Sequence, residues 1–235
     1  MLDRLIAELK SLGNPEKAKG YQRFFKTGKG QYGEGDIFMG IRTPVQREIA
    51  KKYSVLSLKD LQKLLESKIH EHRFVALVIL MDKYKKAKKN HVEKMRLFQF
   101  YLKNTNRINN WDLVDVSAPN IVGDFSVNEG NEMIRHLAKS DNLWKKRIAI
   151  ISTAAYIKRR NFGETLAVAD MLLKDKHDLI HKAVGWMLRE VGKRNTDILE
   201  IFLKTRYKEM PRTMLRDAIE KFPEEKRKRY LGGTI

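Results

Sequence analysis

No stretch of this chain alternates apolar and polar residues with period two for long enough to make a convincing strand, whereas apolar residues return every three or four positions almost from end to end. That periodicity confines the chain to packed helices. LDRLIAELKSL (2–12) is amphipathic, and Asn14–Pro15 reads as a cap followed by proline at the first helical position of the next segment. Thr43–Pro44 opens VQREIAKKY in the same way, and Ser57 with Asp60 has the form of a capping box ahead of LQKLLES. A long helix is predicted over 70–86, buried at 74–81, with a partner near 90–103. Further helices are predicted at 128–140, 142–160, 163–174, 177–194, 196–207 and 211–222, joined by short connections.

Helix pairs that recur at about 35–40 residues without strict identity point to a HEAT-like α-solenoid. The expectation is one all-α domain over residues 1–235, a curved slab with one helix of each pair lining a basic concave face. A compact irregular bundle is the structural alternative. The charge says what such a face would meet: 48 Lys and Arg against 29 Asp and Glu leave a formal net charge of +19. Such an excess repels itself unless a polyanion neutralises it, so the expected partner is nucleic acid. An anionic membrane is a weaker fit, since no segment pairs a broad aromatic face with a basic one. The longest apolar run, FVALVILM (74–81), is far below the roughly 18 residues needed to span a bilayer. Zero cysteines exclude thiolate nucleophiles, iron–sulfur clusters and zinc fingers and fit a reducing compartment. With MLDRLIAELK lacking the pattern of a signal peptide, the expectation is a cytoplasmic protein.

Several motifs fail on context. GKGQYG (28–33) matches G-x-G-x-x-G, yet it follows a helical pattern instead of a strand and no helix opens at its third glycine. The glycine-rich stretch 27–42 reads instead as a long flexible loop that folds against DNA. His177 and His181 stand at i and i+4 without a third ligand, so no metal site is assigned. The clusters KYKKAKK (83–89), IKRR (157–160) and EKRKRY (225–230) read as solvated helix ends.

The informative stretch is WDLVD, residues 111–115. At about 100° per residue, a spacing of four puts Trp111 and Asp115 on one helical face, a turn apart. RINNWDLVDVSAPNIVGDF (107–125), SDNLWKKRIAI (140–150) and HKAVGWMLREVGK (181–193), with NPEKAKGY and GIRTP near the start, resemble the AlkD-type DNA alkylation repair proteins over nearly the whole chain. The resemblance implies a HEAT-like fold that grips double-stranded DNA in its concavity and hydrolyses the N-glycosidic bond of alkylated purines. It further implies a monomer without cofactor that acts at the sugar with no enclosing base pocket. Carried over by position, the catalytic aspartate is Asp115 and the two sugar-contacting tryptophans are Trp111 and Trp186. The arginine beside the lesion is Arg147, and the backbone-touching loop falls on Arg42, Thr43 and Arg47. Asn110 replaces a tryptophan of the family pattern, Arg42 replaces a glutamine, and the glycine-rich loop is an insertion.

The chemistry stands independently of the resemblance. Glycosidic cleavage passes through an oxocarbenium-like sugar, which one well-placed carboxylate stabilises. An N3- or N7-alkylated purine is already cationic and departs neutral, so no second acid is required. Indole faces would favour the cationic charge. Lys182 and Arg189 flank Trp186 at helical spacing and are assigned to DNA. Arg147 suits either a phosphate or Asp115 itself. A noncatalytic relative that binds damaged or branched DNA, or a HEAT-type protein scaffold, are the competing functional readings.

Overall fold

The computed structural model describes residues 1–235. It is all-helical, with extended backbone pairing at a single parallel bridge between Ile37 and Ile69. The chain forms two compact units, Met1–Ser117 and Ala118–Ile235. No helix is long and apolar enough to cross a membrane.

The first unit runs α1 (Leu2–Ser11), α2 (Pro15–Phe24), α3 (Thr43–Lys52), α4 (Leu58–Leu65), α5 (His70–Lys86), α6 (His91–Lys103) and α7 (Trp111–Ala118). Its centre is α5, which packs against α3, α4 and α6. The reason is local: FVALVILM is apolar all round, and a helix without a polar face has to be surrounded. Phe74, Val75, Ala76, Leu77, Ile79 and Leu80 are accordingly buried. Each large apolar side chain so placed contributes roughly 1.5–3 kcal/mol relative to exposure. The starts of these helices follow their caps. Asn14 accepts the N–H of Lys17 ahead of Pro15, and Ser57 and Asp60 make both bonds of the capping box. Thr43 departs from expectation, being the first helical residue instead of the cap. Arg42 holds the cap position in extended conformation, and proline is tolerated anywhere in a first turn because those N–H groups need no helical partner.

The second unit holds α8 (Asp124–Glu129), α9 (Glu132–Ala138), α10 (Leu143–Ser152), α11 (Ala154–Lys158), α12 (Gly163–Met171), α13 (Asp178–Gly192), α14 (Thr196–Lys204), α15 (Arg212–Ala218) and α16 (Glu224–Gly232). Here α10 and α13 pack together, with α9 on α10 and α14 and α15 on α13. Gly185 lets α13 and α15 approach closely: a β-carbon there would lie 2.7 Å from the Met214 carbonyl oxygen and 2.6 Å from Asp217 Cβ. Two predicted helices are broken. The segment 128–140 is interrupted at Gly130, whose φ of +115° no helix accommodates, and 142–160 turns at Thr153, whose hydroxyl donates to the Ile150 carbonyl at 2.7 Å.

The glycine-rich stretch is the largest correction. Its tip, Gly28–Gln31, is exposed, but from Gly33 onward the chain is pinned down. Gly40, at φ +80°, lies so close to α2 that a β-carbon would sit 2.2 Å from the Asn14 carbonyl oxygen. The carboxylate of Glu71 on α5, fully buried, accepts the backbone N–H groups of Met39, Gly40 and Ile41 at 2.8–3.3 Å. Phe38 and Ile41 are thereby held in the core. The flexible-loop reading failed because it weighed the glycines and left out a carboxylate 30–32 residues away. Replacing that carboxylate strands three backbone donors, those of Gly40 and Ile41 buried and that of Met39 partly so, each costing about 1–3 kcal/mol. Glu71→Ala is therefore expected to destabilise the first unit by at least about 3 kcal/mol, read as a lowered urea midpoint. A midpoint equal to wild type would show that the loop is not held by this carboxylate.

Candidate active site

α7 starts where Asn110, completely buried, accepts the Trp111 N–H on its side-chain oxygen and the Val114 N–H on its carbonyl. From there Trp111 and Asp115, one turn apart, both face a cavity of about 640 Å³ within the first unit. Its walls are mostly rings. Trp111 stacks on Phe25 with centroids 5.2 Å apart, Phe25 on Phe38 at 4.8 Å, and Phe38 on the imidazole of His70 at 4.4 Å. Phe24 meets Trp111 edge-on at 5.8 Å and is 64% exposed at the margin. Tyr21 and Phe74 complete the aromatic lining.

A chain of charges runs behind these rings. Nε2 of His70 lies 2.8 Å from Asp112 Oδ2, and its Nδ1 lies 3.4 Å from Asp36 Oδ2. Arg73 Nη2 is 2.6 Å from the same Asp36 oxygen. Burial by itself would push the imidazolium down, but the negative charge of Asp112 and the hydrogen bonds to Asp112 and Asp36 outweigh it, raising His70 to about 9 against the opposing charge of Arg73. Burial likewise favours the neutral form of Asp36, and the contacts with His70 and Arg73 overcome it, so that carboxyl is held below its usual range. Asp112, whose Oδ1 also accepts the Leu113 N–H at 2.9 Å, is thus held at both oxygens where it faces the cavity.

The residues expected from sequence divide between the units. Trp111, Asp115, Thr43 and Arg47 surround this cavity, with the Arg47 guanidinium 5.7 Å from the Phe74 ring centroid. Arg42 is exposed at the cap of α3. Arg147, Lys182, Trp186 and Arg189 belong to the second unit. Arg147 is only 5% exposed and donates from Nη1 to the Leu179 carbonyl at 2.6 Å. Trp186 is half-buried on α13; Lys182 pairs with Asp178 at 2.7 Å and Arg189 pairs with Glu220. His177 caps α13 by accepting the Leu179 N–H, and His181 Nε2 bonds the Asp175 carbonyl, so both histidines have structural work. Sequence reasoning missed His70, Asp112, Asp36 and the aromatic wall. Two signals were present: the Phe24–Phe25 pair at the end of α2, and the four polar residues HEHR opening the helix that carries the longest apolar run in the chain.

The comparisons with known proteins bear on the whole chain. A family model described as DNA alkylation repair enzyme matches residues 5–222. Among solved structures, a predicted DNA alkylation repair enzyme from Enterococcus faecalis superimposes with a TM-score of 0.68 at 16% identity, covering 90% of this chain and 97% of that one. The crystal structure of AlkD2 from Streptococcus mutans gives 0.56 at 18% identity, covering 89% and 99%. At these identities the likeness is one of fold. No curated protein matches the chain.

The His70 network has a consequence for stability. Its folded pKa, about 9, lies above the ordinary 6.5, so its contribution is complete below pH 6.5 and is lost as pH rises through 9. Unfolding free energy should fall by roughly 3 kcal/mol across that window. Urea titrations at the two ends should show the fall in wild type and a flattened profile in His70→Gln; equal slopes in both would remove His70 as its source.

Proposed function

The chain belongs to the DNA alkylation repair enzyme family, and from that premise we propose that it is a monofunctional DNA glycosylase. Its substrates are cationic alkylated purines, N7-methylguanine and N3-methyladenine, in double-stranded DNA. The observation that carries this reading is the carboxylate of Asp115 in the wall of an aromatic cavity, one helical turn from Trp111. As the glycosidic bond stretches, positive charge gathers on the sugar; a carboxylate fixed on a helix stabilises it without reorganisation and orients the attacking water. Trp111 and Trp186 pack on the sugar. Arg147 stands by the lesion, and Arg42, Thr43, Arg47, Lys182 and Arg189 contact the DNA backbone.

The state of His70 supports a dependence on the lesion's own charge. Both its ring nitrogens are engaged by carboxylates, so its proton is committed and it is poorly suited to protonate a leaving base. Departure of the base then relies on the positive charge the alkyl group has already conferred.

Asp115→Asn removes charge with little change in volume. It should lower base release from methylated duplex on the order of 10²–10³-fold while leaving DNA affinity unchanged or slightly improved. Full activity in this variant would eliminate Asp115 as the electrostatic catalyst. In a panel of duplexes with one defined lesion each, N7-methylguanine and N3-methyladenine should be released under single-turnover conditions, and uracil, hypoxanthine and 8-oxoguanine should persist. Efficient excision of a neutral base would mean that a general acid operates. With a net charge of +19, affinity should also fall steeply with salt, as each neutralised phosphate releases counterions, and Arg147→Ala should weaken it further. Salt-independent binding would count against phosphate contacts.

A further inference from the structure

The three basic runs of the sequence separate once their partners are known. In 157–160, Arg159 donates to the Asn128 side chain at 2.9 Å and Arg160 to the Arg194 carbonyl at 3.3 Å. In 225–230, Lys226 pairs with Glu200, and Lys228 with Glu224 at 2.8 Å. The run 83–89, which ends α5 and turns into α6, is different. Its acidic neighbours are already engaged, Asp82 with Lys86 at 2.6 Å and Glu93 with Arg96 at 2.9 Å. Lys85, Lys88 and Lys89 are exposed, and no hydrogen bond or ion pair ties their ammonium groups. Cations in the last turn of a helix are favoured by its dipole, which accounts for Lys83, Lys85 and Lys86. The effect falls off within that turn, and Lys88 and Lys89 lie beyond the Ala87 cap. Lys88 stands at φ +46°, a left-handed conformation that glycine or asparagine takes with less strain. Two adjacent lysines so placed carry backbone strain and mutual repulsion, and an anionic partner relieves the repulsion.

We propose that the α5–α6 turn is a second, sequence-independent contact for the phosphate backbone of duplex DNA, made by Lys85, Lys88 and Lys89 away from the cavity. The proposal rests on the reading above for its ligand, duplex DNA, and on the structure for the place. Helix α5 sets the separation: His70, its first residue, stands in the cavity wall, and Lys86 is its last, so at 1.5 Å per residue the two ends lie about 24 Å apart. The chemistry of the turn fits a phosphate backbone better than a protein or a bilayer. A lysine ammonium is a compact charge on a flexible stem, which meets phosphates without demanding one geometry. Lysine is depleted at protein–protein interfaces. The large apolar side chain exposed beside the turn is Val92, and no aromatic ring is offered there to a membrane interface. Contacts to phosphate carry no sequence information, so the turn holds undamaged and damaged duplex alike.

The experiment measures binding of the full chain to a labelled undamaged duplex by fluorescence anisotropy over a series of salt concentrations. Three proteins are compared: wild type, the triple variant Lys85→Gln, Lys88→Gln, Lys89→Gln, and a control of equal charge, Lys174→Gln, Lys193→Gln, Lys228→Gln. The control removes exposed lysines that are each paired with a carboxylate, Glu209, Glu190 and Glu224. The slope of log affinity against log salt should become shallower by about 2–3 in the first variant and by less than about 1 in the control. Affinity at moderate salt should fall about tenfold in the first variant. Base release from methylated duplex at saturating protein should match wild type. An unchanged slope, an equal change in both variants, or a wild type that does not bind undamaged duplex overturns the proposal. Loss of base release at saturation also overturns it, because the lysines would then act at the lesion. Absence of base release from wild type, with the difference in slopes intact, sinks the glycosylase reading and leaves the second contact standing.

Discussion

A fully buried carboxylate on α5 organises the first unit. The side-chain oxygens of Glu71 can be buried in the core only if they are matched by donors, and three consecutive backbone N–H groups, at residues 39–41, provide them. The match works in both directions, because those amides belong to a loop segment with no helix or ladder to satisfy them. One carboxylate thus fastens the end of the glycine-rich stretch to the central helix. Phe38, immediately before the fastened residues, is thereby set between Phe25 and His70. The wall of the cavity depends on that anchoring.

The second buried network serves a different end. Asp36, His70, Arg73 and Asp112 come from the loop, α5 and α7, and each would be costly to bury alone. Assembled, they balance one another and hold the Asp112 side chain in place beside the cavity. In a chain with an excess of 19 positive charges, acidic side chains kept at an aromatic site form a local exception to the surrounding field. The general basicity suits attraction to a polyanion. The exception suits a positive charge that develops, or already resides, at one point on it.

In the second unit the helices are drawn together by small residues and by cations turned inward. Gly185 brings α15 onto α13, and Gly123 does the same for the turn preceding α8, where a β-carbon would lie 2.3 Å from the Ser152 carbonyl oxygen. Arg147 is embedded with its guanidinium on the Leu179 carbonyl. An arginine so held has few accessible rotamers. Its role in the proposed reaction is accordingly one of fixed position, in contrast to a surface lysine that follows a phosphate.

By itself the sequence determined the all-α class and the helix starts at Pro15 and Leu58, because caps and apolar periodicity act within one or two turns. It also determined that Trp111 and Asp115 share a face, since the pitch of a helix requires it. The helix bounds of α5 were legible for the same reason, and the breaks at Gly130 and Thr153 were not: the first needed the actual φ, and the second a hydroxyl bonding to its own turn. What only the tertiary structure decided were the partners that come from afar. Asp36 and Asp112 reach His70 from 34 and 42 residues away, and together they fix its charge. The ring stack joins α2, the loop, α5 and α7, and burial turned Arg147 from a candidate surface ligand into an embedded one. Local pattern carries dihedral and facial information; the charge of a buried group and the existence of a cavity depend on which distant segments exclude water from it.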